Sequence, residues 1–207
     1  MNSMISYATR IAIVFTAMAP MMPALAEGDV AAGQAKAAVC GACHGLDGNS
    51  ANPVWPSLAG QHASYIVNSI ESFKNGTRSD VLMTAQANIL SPEDTVNVAA
   101  YYAAQTPTQR TADPALADLG ERIYRGGDKK DEVSACIACH GPSGRGNAPA
   151  GYPSLTGQHA IYTAKQLADY KSGARSSDGD TQIMRNIAAE LSQQQIDAVA
   201  AYIQGLR

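Results

Sequence analysis

Cys40-Gly41-Ala42-Cys43-His44 and Cys136-Ile137-Ala138-Cys139-His140 are two copies of one short motif. Each has the form C-x-x-C-H, which is typical of covalent haem attachment. Two thiols at this spacing reach the two vinyl groups of one porphyrin, and the adjacent histidine then falls under the iron. The sequence therefore predicts two covalently bound haem c groups. The attachment residues are Cys40, Cys43, Cys136 and Cys139, and the proximal ligands are His44 and His140.

A C-x-x-C pair can also be a redox dithiol or half of a zinc site. A zinc site made of all four cysteines would have to bring two distant pairs together, and it would leave both histidines without a role. Four cysteines in an exported protein would ordinarily suggest two disulfides. The haem interpretation uses all four and leaves none to crosslink the fold.

The two motifs belong to an internal repeat. Matching segments follow each motif in the same order, with an offset that grows from 96 to 101 residues. Residues 55–62 match 152–159, 73–79 match 170–176, and 98–101 match 199–202. A period of this length is too long for a solenoid and indicates a duplicated small domain. We expect domain 1 over residues 27–106, a linker over 107–115 and domain 2 over 116–207.

Helical patterns dominate both halves, and no stretch alternates like a strand. Apolar side chains at spacings of three and four predict helices over 63–73 and 160–170. Alanine-rich or amphipathic segments over 29–39 and 116–124 precede the motifs. Ser91 and Ser192 are expected to open helices that end near residues 104 and 205. Gly33 and Gly120 could let the first helix of each domain approach the last one closely, near Tyr101 and Tyr202. The predicted fold class is all-α, with two tandem domains.

The sixth iron ligand is predicted to be Met83 in domain 1 and Met184 in domain 2. Five of the seven methionines fall within the first 22 residues, which leaves one for each domain at corresponding positions. They follow the proximal histidines by 39 and 44 residues. Each precedes a predicted helix start by eight residues, so we expect both on loops that fold over the haem.

His62 and His159 are the alternative distal ligands, since they also repeat, 18 and 19 residues after the proximal histidines. Each lies in a Gly-Gln-His segment at the start of a predicted helix. That position favours a surface role or a contact with a haem propionate, but bis-histidine ligation stays open.

Other matched residues are expected around each haem. A metal-bound histidine usually donates its second ring N–H to a carbonyl or carboxylate, and the carbonyls of Pro56 and Pro153 are the predicted acceptors. Arg78 and Arg175 are expected to hold propionates, with a solvated loop position as the alternative. Trp55 and Tyr152 are expected to form walls of the haem sites.

The first 26 residues resemble an export signal. Arg10 is their only charged residue, residues 11–22 are apolar, and Ala24-Leu25-Ala26 forms an A-x-A cleavage site. A membrane anchor is the alternative, but the apolar run is short and Pro20 and Pro23 interrupt it. We expect cleavage after Ala26 and a soluble periplasmic protein. The net charge of −3 and the absence of a basic stripe predict no nucleic-acid binding.

Each half resembles a class I cytochrome c: C-x-x-C-H near the start, a Pro-x-Leu loop, a distal methionine and a last helix with an aromatic residue. Nearly all of the expected mature chain resembles the dihaem cytochrome c4 family, through its two Pro-Ser-Leu-x-Gly-Gln segments and its two Lys-x-Gly-x-Arg segments. The resemblance implies two helical lobes related by a pseudo-twofold axis, with the haems close together across the interface. Members often carry a second methionine beside the ligand, where this chain has Leu82 and Ile183.

Histidine–methionine ligation would fill all six iron positions, which favours electron transfer over catalysis. We therefore expect an electron carrier that is not an enzyme. The resemblance implies redox partners in the periplasm: a donor such as a bc1-type complex and an acceptor such as a terminal oxidase. We expect a monomer, with loose membrane association left open. The alternatives are the cytochrome subunit of a sulfide-oxidising flavoprotein and a dihaem thiosulfate-oxidising enzyme.

Overall fold

The computed structural model describes residues 28–207, so the predicted signal segment and its cleavage site lie outside the described part of the chain. Within that part, ten helices and no strands are present, as the all-α prediction requires. The helices are α1 (Val30–Ala37), α2 (Gly41–His44), α3 (Ala63–Asn75), α4 (Val81–Asn88), α5 (Pro92–Ala103), α6 (Pro114–Gly126), α7 (Ile137–His140), α8 (Ala160–Ser172), α9 (Ile183–Glu190) and α10 (Gln193–Gly205).

Local sequence signals set the ends of the longest helices. Ser91 caps α5 in a capping box with Asp94, and Ser192 caps α10 in the same way with Gln195. Each serine hydroxyl accepts from a first-turn N–H that has no partner within the helix, which stabilises the start of the helix. Asp113 caps α6, whose first residue is Pro114. The expected linker over 107–115 therefore overlaps α6 by two residues.

The prediction that both distal methionines lie on loops is wrong. Met83 is in the first turn of α4, and Met184 is in the first turn of α9. The side chain of Asp80 accepts from the backbone N–H groups of Leu82 and Met83, and this N-cap starts a helix that the sequence pattern did not reveal.

Two separate hydrophobic cores define two domains. In the first, α1, α3 and α5 pack around Ile66, Phe73 and Tyr102. In the second, α6, α8 and α10 pack around Ile123, Tyr124 and Ile196. Tyr102 and Tyr124 are fully buried. The same arrangement of helices in both halves confirms the duplicated domain.

Glycine lets the first and last helices of each domain approach closely, as the sequence predicts. A Cβ atom on Gly33 would lie 2.0 Å from the carbonyl oxygen of Asn97 in α5. A Cβ atom on Gly120 would lie 2.1 Å from the carbonyl oxygen of Ala198 in α10. A real Cβ cannot approach an oxygen so closely, so any larger residue would push the helices apart.

The two domains pack through equivalent surfaces. Arg78 and Arg175, which match in the repeat, pair in an isolated antiparallel bridge. The contacts of two matched glutamines are reciprocal: Gln61 of domain 1 binds the backbone of Ser154 in domain 2, and Gln158 of domain 2 binds the backbone of Ser57 in domain 1. Such an interface has the self-complementary pattern of a twofold dimer, here within one chain.

Among the described helices, none is long and apolar enough to cross a membrane.

We expect Gly120→Ala to destabilise domain 2 by about 3 kcal/mol, because overpacking separates α6 from α10. Denaturant unfolding of the holoprotein measures this loss. Gly126→Ala in the same helix is the matched control, since a Cβ there meets no atom within 4 Å. An equal effect of both substitutions would contradict the packing explanation.

Candidate haem sites and the domain interface

The short helices α2 and α7 contain the last four residues of each C-x-x-C-H motif. The backbone N–H of His44 donates to the carbonyl of Cys40, and that of His140 donates to Cys136, both at 3.0 Å. In this single turn the second cysteine and the histidine follow the first cysteine by three and four residues, the spacings at which side chains lie on the same face as the first residue. All four cysteines are free of disulfides and partly exposed, whereas both histidines are buried.

The second ring nitrogen of each motif histidine meets the predicted proline carbonyl. Nδ1 of His44 lies 2.8 Å from the carbonyl oxygen of Pro56, and Nδ1 of His140 lies 3.0 Å from that of Pro153. A carbonyl only accepts, so Nδ1 carries the proton and Nε2 keeps its lone pair for a metal. Burial lowers the pKa of both imidazoles, which favours the neutral form that ligation needs.

The loops that carry these carbonyls are held by glycine turns. The N–H of Leu58 donates to the carbonyl of Gly48 at 2.7 Å, and the N–H of Leu155 donates to that of Gly144 at 2.6 Å. Both glycines have positive φ, +79° and +71°, which other residues rarely adopt. The Pro-Ser-Leu segments thus reach back to the motif histidines because glycine permits the turn.

Other predicted wall residues lie in suitable places. The ring of Tyr152 is 6.3 Å from that of His140, centroid to centroid. Trp55 is partly exposed beside Pro56. Met83 packs against the core of domain 1, and Met184 is partly buried. Their roles as haem walls and iron ligands remain predictions.

Arg78 and Arg175 are buried in the domain interface, so the alternative of a solvated loop position is wrong. Arg78 donates across the interface to the hydroxyl of Tyr162 and to Oε1 of Gln166. Arg175 donates to the hydroxyl of Tyr65 at 2.8 Å and to the same Gln166 oxygen. Each guanidinium also stacks on an aromatic ring of its own domain.

The interface arginines have only neutral partners. In residues 28–207 neither forms an ion pair with a carboxylate. Partial burial raises the pKa of Tyr65, but the charges of Arg175 and Arg78 outweigh this and lower it to about 8. Two buried cations without an anion are costly, and haem propionates would supply the missing negative charge. Two thiols, a neutral imidazole and a buried cation per domain therefore fit haem c.

The two remaining histidines do not occupy equivalent environments. His159 is buried, and its Nε2 donates to the carbonyl of Ser50 in domain 1 at 2.8 Å, so the predicted surface position is wrong for this residue. Burial lowers the pKa of His159. The Nε2 atom of His62 is buried and has no hydrogen-bond partner among the described residues.

Sequence reasoning missed three interface residues. Gln61 forms hydrogen bonds with the backbone N–H and carbonyl of Ser154 in domain 2. Gln158 forms the same two hydrogen bonds with Ser57 in domain 1. Their place in two identical Gly-Gln-His segments was the signal that could have identified them. Arg110, in the linker, donates to the carbonyls of Gly157 and Ser50 and to the Ser57 hydroxyl. It has no matched partner in the repeat, so nothing in the sequence marked it.

A zinc site built from both cysteine pairs would need its ligands together. Over residues 28–207, no group of three or more His, Cys, Asp or Glu side chains lies close enough to hold a metal ion.

Comparison with known proteins agrees with this geometry. The sequence model of the cytochrome c family matches residues 30–104 and 117–207, one match for each domain. Cytochrome c4 of Azotobacter vinelandii is 52% identical over 190 residues, which cover 87% of this chain and 90% of the relative. The crystal structure of reduced recombinant cytochrome c4 from Pseudomonas stutzeri matches with a TM-score of 0.84 and 48% identity, over 87% of this chain and 100% of that one.

A relative with lower sequence identity is named for a different role. A thiosulfate dehydrogenase electron acceptor of Thiomonas intermedia (strain K12) is 35% identical over 178 residues, which cover 84% of this chain and 81% of the relative.

The fold and the paired sites define a c-type cytochrome with two haem domains. The chain belongs to the dihaem cytochrome c4 family. Two haem c groups are bound covalently, at Cys40 and Cys43 in domain 1 and at Cys136 and Cys139 in domain 2. The protein is a dihaem electron-transfer cytochrome.

We expect Arg110→Ala to weaken domain pairing by about 2 kcal/mol, because it removes charge-assisted hydrogen bonds to both domains. Thermal unfolding of the holoprotein should then separate into two transitions. Arg145→Ala changes an exposed arginine of domain 2 and should leave the unfolding curve unaltered. A single, unshifted transition for Arg110→Ala would contradict the role of this linker residue.

Proposed function

We propose that this protein is a periplasmic electron carrier that takes electrons from a donor such as a bc1-type complex and delivers them to a terminal oxidase. The observation that carries the proposal is the equivalence of the two sites. Each has one C-x-x-C-H turn, one proline carbonyl on the histidine and one methionine at the start of a matched helix. A catalytic haem would need one site to differ by an open position.

The chain's own residues prepare both sites for electron exchange. When bound, each haem supplies an iron that cycles between ferrous and ferric states. Pro56 and Pro153 fix the orientation and tautomer of His44 and His140. Met83 and Met184 lie in the first turns of the short helices α4 and α9, and not on loops. As sixth ligands, they would occupy the remaining position of each iron. A ligand set held in place on both sides limits structural change between oxidation states.

Export and oligomeric state are part of the proposal. The A-x-A segment at residues 24–26 supports cleavage and release into the periplasm, where haem c proteins of this type would meet soluble and membrane-bound partners. The self-complementary face of each domain is already covered by the other domain of the same chain. This supports a monomer, with any membrane association being loose and through partners.

A second candidate is an electron-accepting role beside a sulfur-oxidising enzyme. The likeness to the Thiomonas thiosulfate dehydrogenase electron acceptor favours it. In that role the chain would still carry electrons, and the enzyme would be a separate protein. A subunit of a sulfide-oxidising flavoprotein is the related alternative.

Methionine ligation should be visible in the ferric optical spectrum, as a weak far-red band. Met83→Ala should reduce this band to about half, because each haem contributes one methionine bond, and adding Met184→Ala should abolish it. Leu82→Ala, beside the ligand on an exposed position, is the control and should leave the band intact. Absence of the band from the unmodified ferric protein would contradict methionine ligation and would support His62 and His159 as the sixth ligands.

The choice of partner is tested with the reduced holoprotein and native membranes that contain terminal oxidases. We expect rapid oxidation that cyanide abolishes, at a rate that rises with membrane concentration. Purified thiosulfate dehydrogenase is the comparison donor, and a copurifying flavoprotein should be absent. Slow, cyanide-insensitive oxidation together with a stable flavoprotein partner would contradict the carrier proposal.

A further inference from the structure

The interface glutamines contact the peptide units that hold the proximal histidines. The N–H of Ser57 belongs to the same peptide unit as the Pro56 carbonyl, and it donates to Oε1 of Gln158 in domain 2 at 2.9 Å. The N–H of Ser154 shares a peptide unit with the Pro153 carbonyl and donates to Oε1 of Gln61 in domain 1 at 2.9 Å. Each amide side chain thus reaches across the interface to the opposite haem site.

Both amides are fixed in orientation by further hydrogen bonds. Nε2 of Gln158 donates to the carbonyl of Ser57 at 2.9 Å, and its Oε1 also accepts from the N–H of His159 at 3.0 Å. Gln61 repeats both contacts, with Ser154 at 2.8 Å and His62 at 2.9 Å. Because one end accepts only from N–H groups and the other donates to a carbonyl, neither amide can be flipped without losing its partners.

A continuous chain of hydrogen bonds therefore runs from one domain to the iron ligand of the other. It passes from the His44 Nδ1–H to the Pro56 carbonyl, through that peptide unit to its N–H, and on to Gln158. Hydrogen bonds in such chains polarise one another. A peptide whose N–H donates has a more negative carbonyl oxygen, which accepts more strongly from the imidazole and makes it a more basic ligand.

We propose that Gln158 and Gln61 are positioning residues that tune the reduction potential of the haem in the opposite domain. A more basic proximal histidine stabilises ferric iron, so each glutamine lowers the potential of its target haem. Domain pairing thereby sets both potentials, since separation of the domains would break both chains at once. The inference rests on His44 and His140 as the proposed iron ligands, and not on the identity of the redox partner.

Gln158→Leu and Gln61→Leu, made in the full holoprotein, test this crossed arrangement. The first should raise the midpoint potential of the domain 1 haem, and the second that of the domain 2 haem, each with little change at the other haem. Potentials are assigned to each haem through its paramagnetically shifted methyl signals in NMR. The ¹⁵N shift of the proximal Nδ1 in the affected domain should move towards a weaker hydrogen bond.

Gln204→Leu is the matched control, because this glutamine also clasps two backbone groups, at Ala160 and Thr111, but touches neither proximal peptide. It should leave both potentials unchanged. Gln158→Met keeps the side-chain length and replaces Gln158→Leu if the latter does not fold. A shift at the haem of the mutated domain, or equal shifts at both haems, would overturn the proposal. Retention of the far-red band in every variant shows that axial ligation, and hence the proposed function, is intact while the tuning is tested.

Discussion

One hydrogen bond per domain, from Nδ1 of the motif histidine to a proline carbonyl, fixes how each site can hold its haem. This hydrogen bond keeps the ring proton on Nδ1 and leaves the lone pair of Nε2 available to iron. Any residue could supply the accepting carbonyl, but proline also restricts its own φ to about −65°, which stiffens the loop that carries the acceptor. The glycine turns at Gly48 and Gly144, the burial of the histidines and the short helices α2 and α7 all serve to place this contact.

The domain interface extends this constraint from one half of the molecule to the other. The loop that supplies each carbonyl is also clasped by a glutamine from the opposite domain. Near the same surface, Arg78 and Arg175 lie buried with neutral partners, where propionate charge would balance them. Arg110 and His159 break the symmetry, since both converge on the carbonyl of Ser50 in domain 1. The two sites are thus equivalent in their motif histidines and proline carbonyls and different in their surroundings.

The sequence alone predicted the fold class, the haem attachment and the contact of each motif histidine with a proline carbonyl, because these features depend on local spacing that occurs twice in the chain. Ser91 and Ser192 start helices through neighbours within four residues, and Gly33 and Gly120 mark close helix contacts by the absence of a side chain. The helix that carries Met83 was missed because its N-cap at Asp80 lies in a segment without apolar periodicity. Interface roles were missed for another reason: Arg175 reaches Tyr65 only after two domains pair, and no local pattern reports that contact.

On the proposed ligation, both haem irons are closed by six ligands and serve only electron exchange. Addition of carbon monoxide to the fully reduced holoprotein tests it most directly, because carbon monoxide binds ferrous haem that has an open or weakly held position. We expect an unchanged optical spectrum for both haems. Stoichiometric binding at either haem would contradict it and would indicate a site built for substrate.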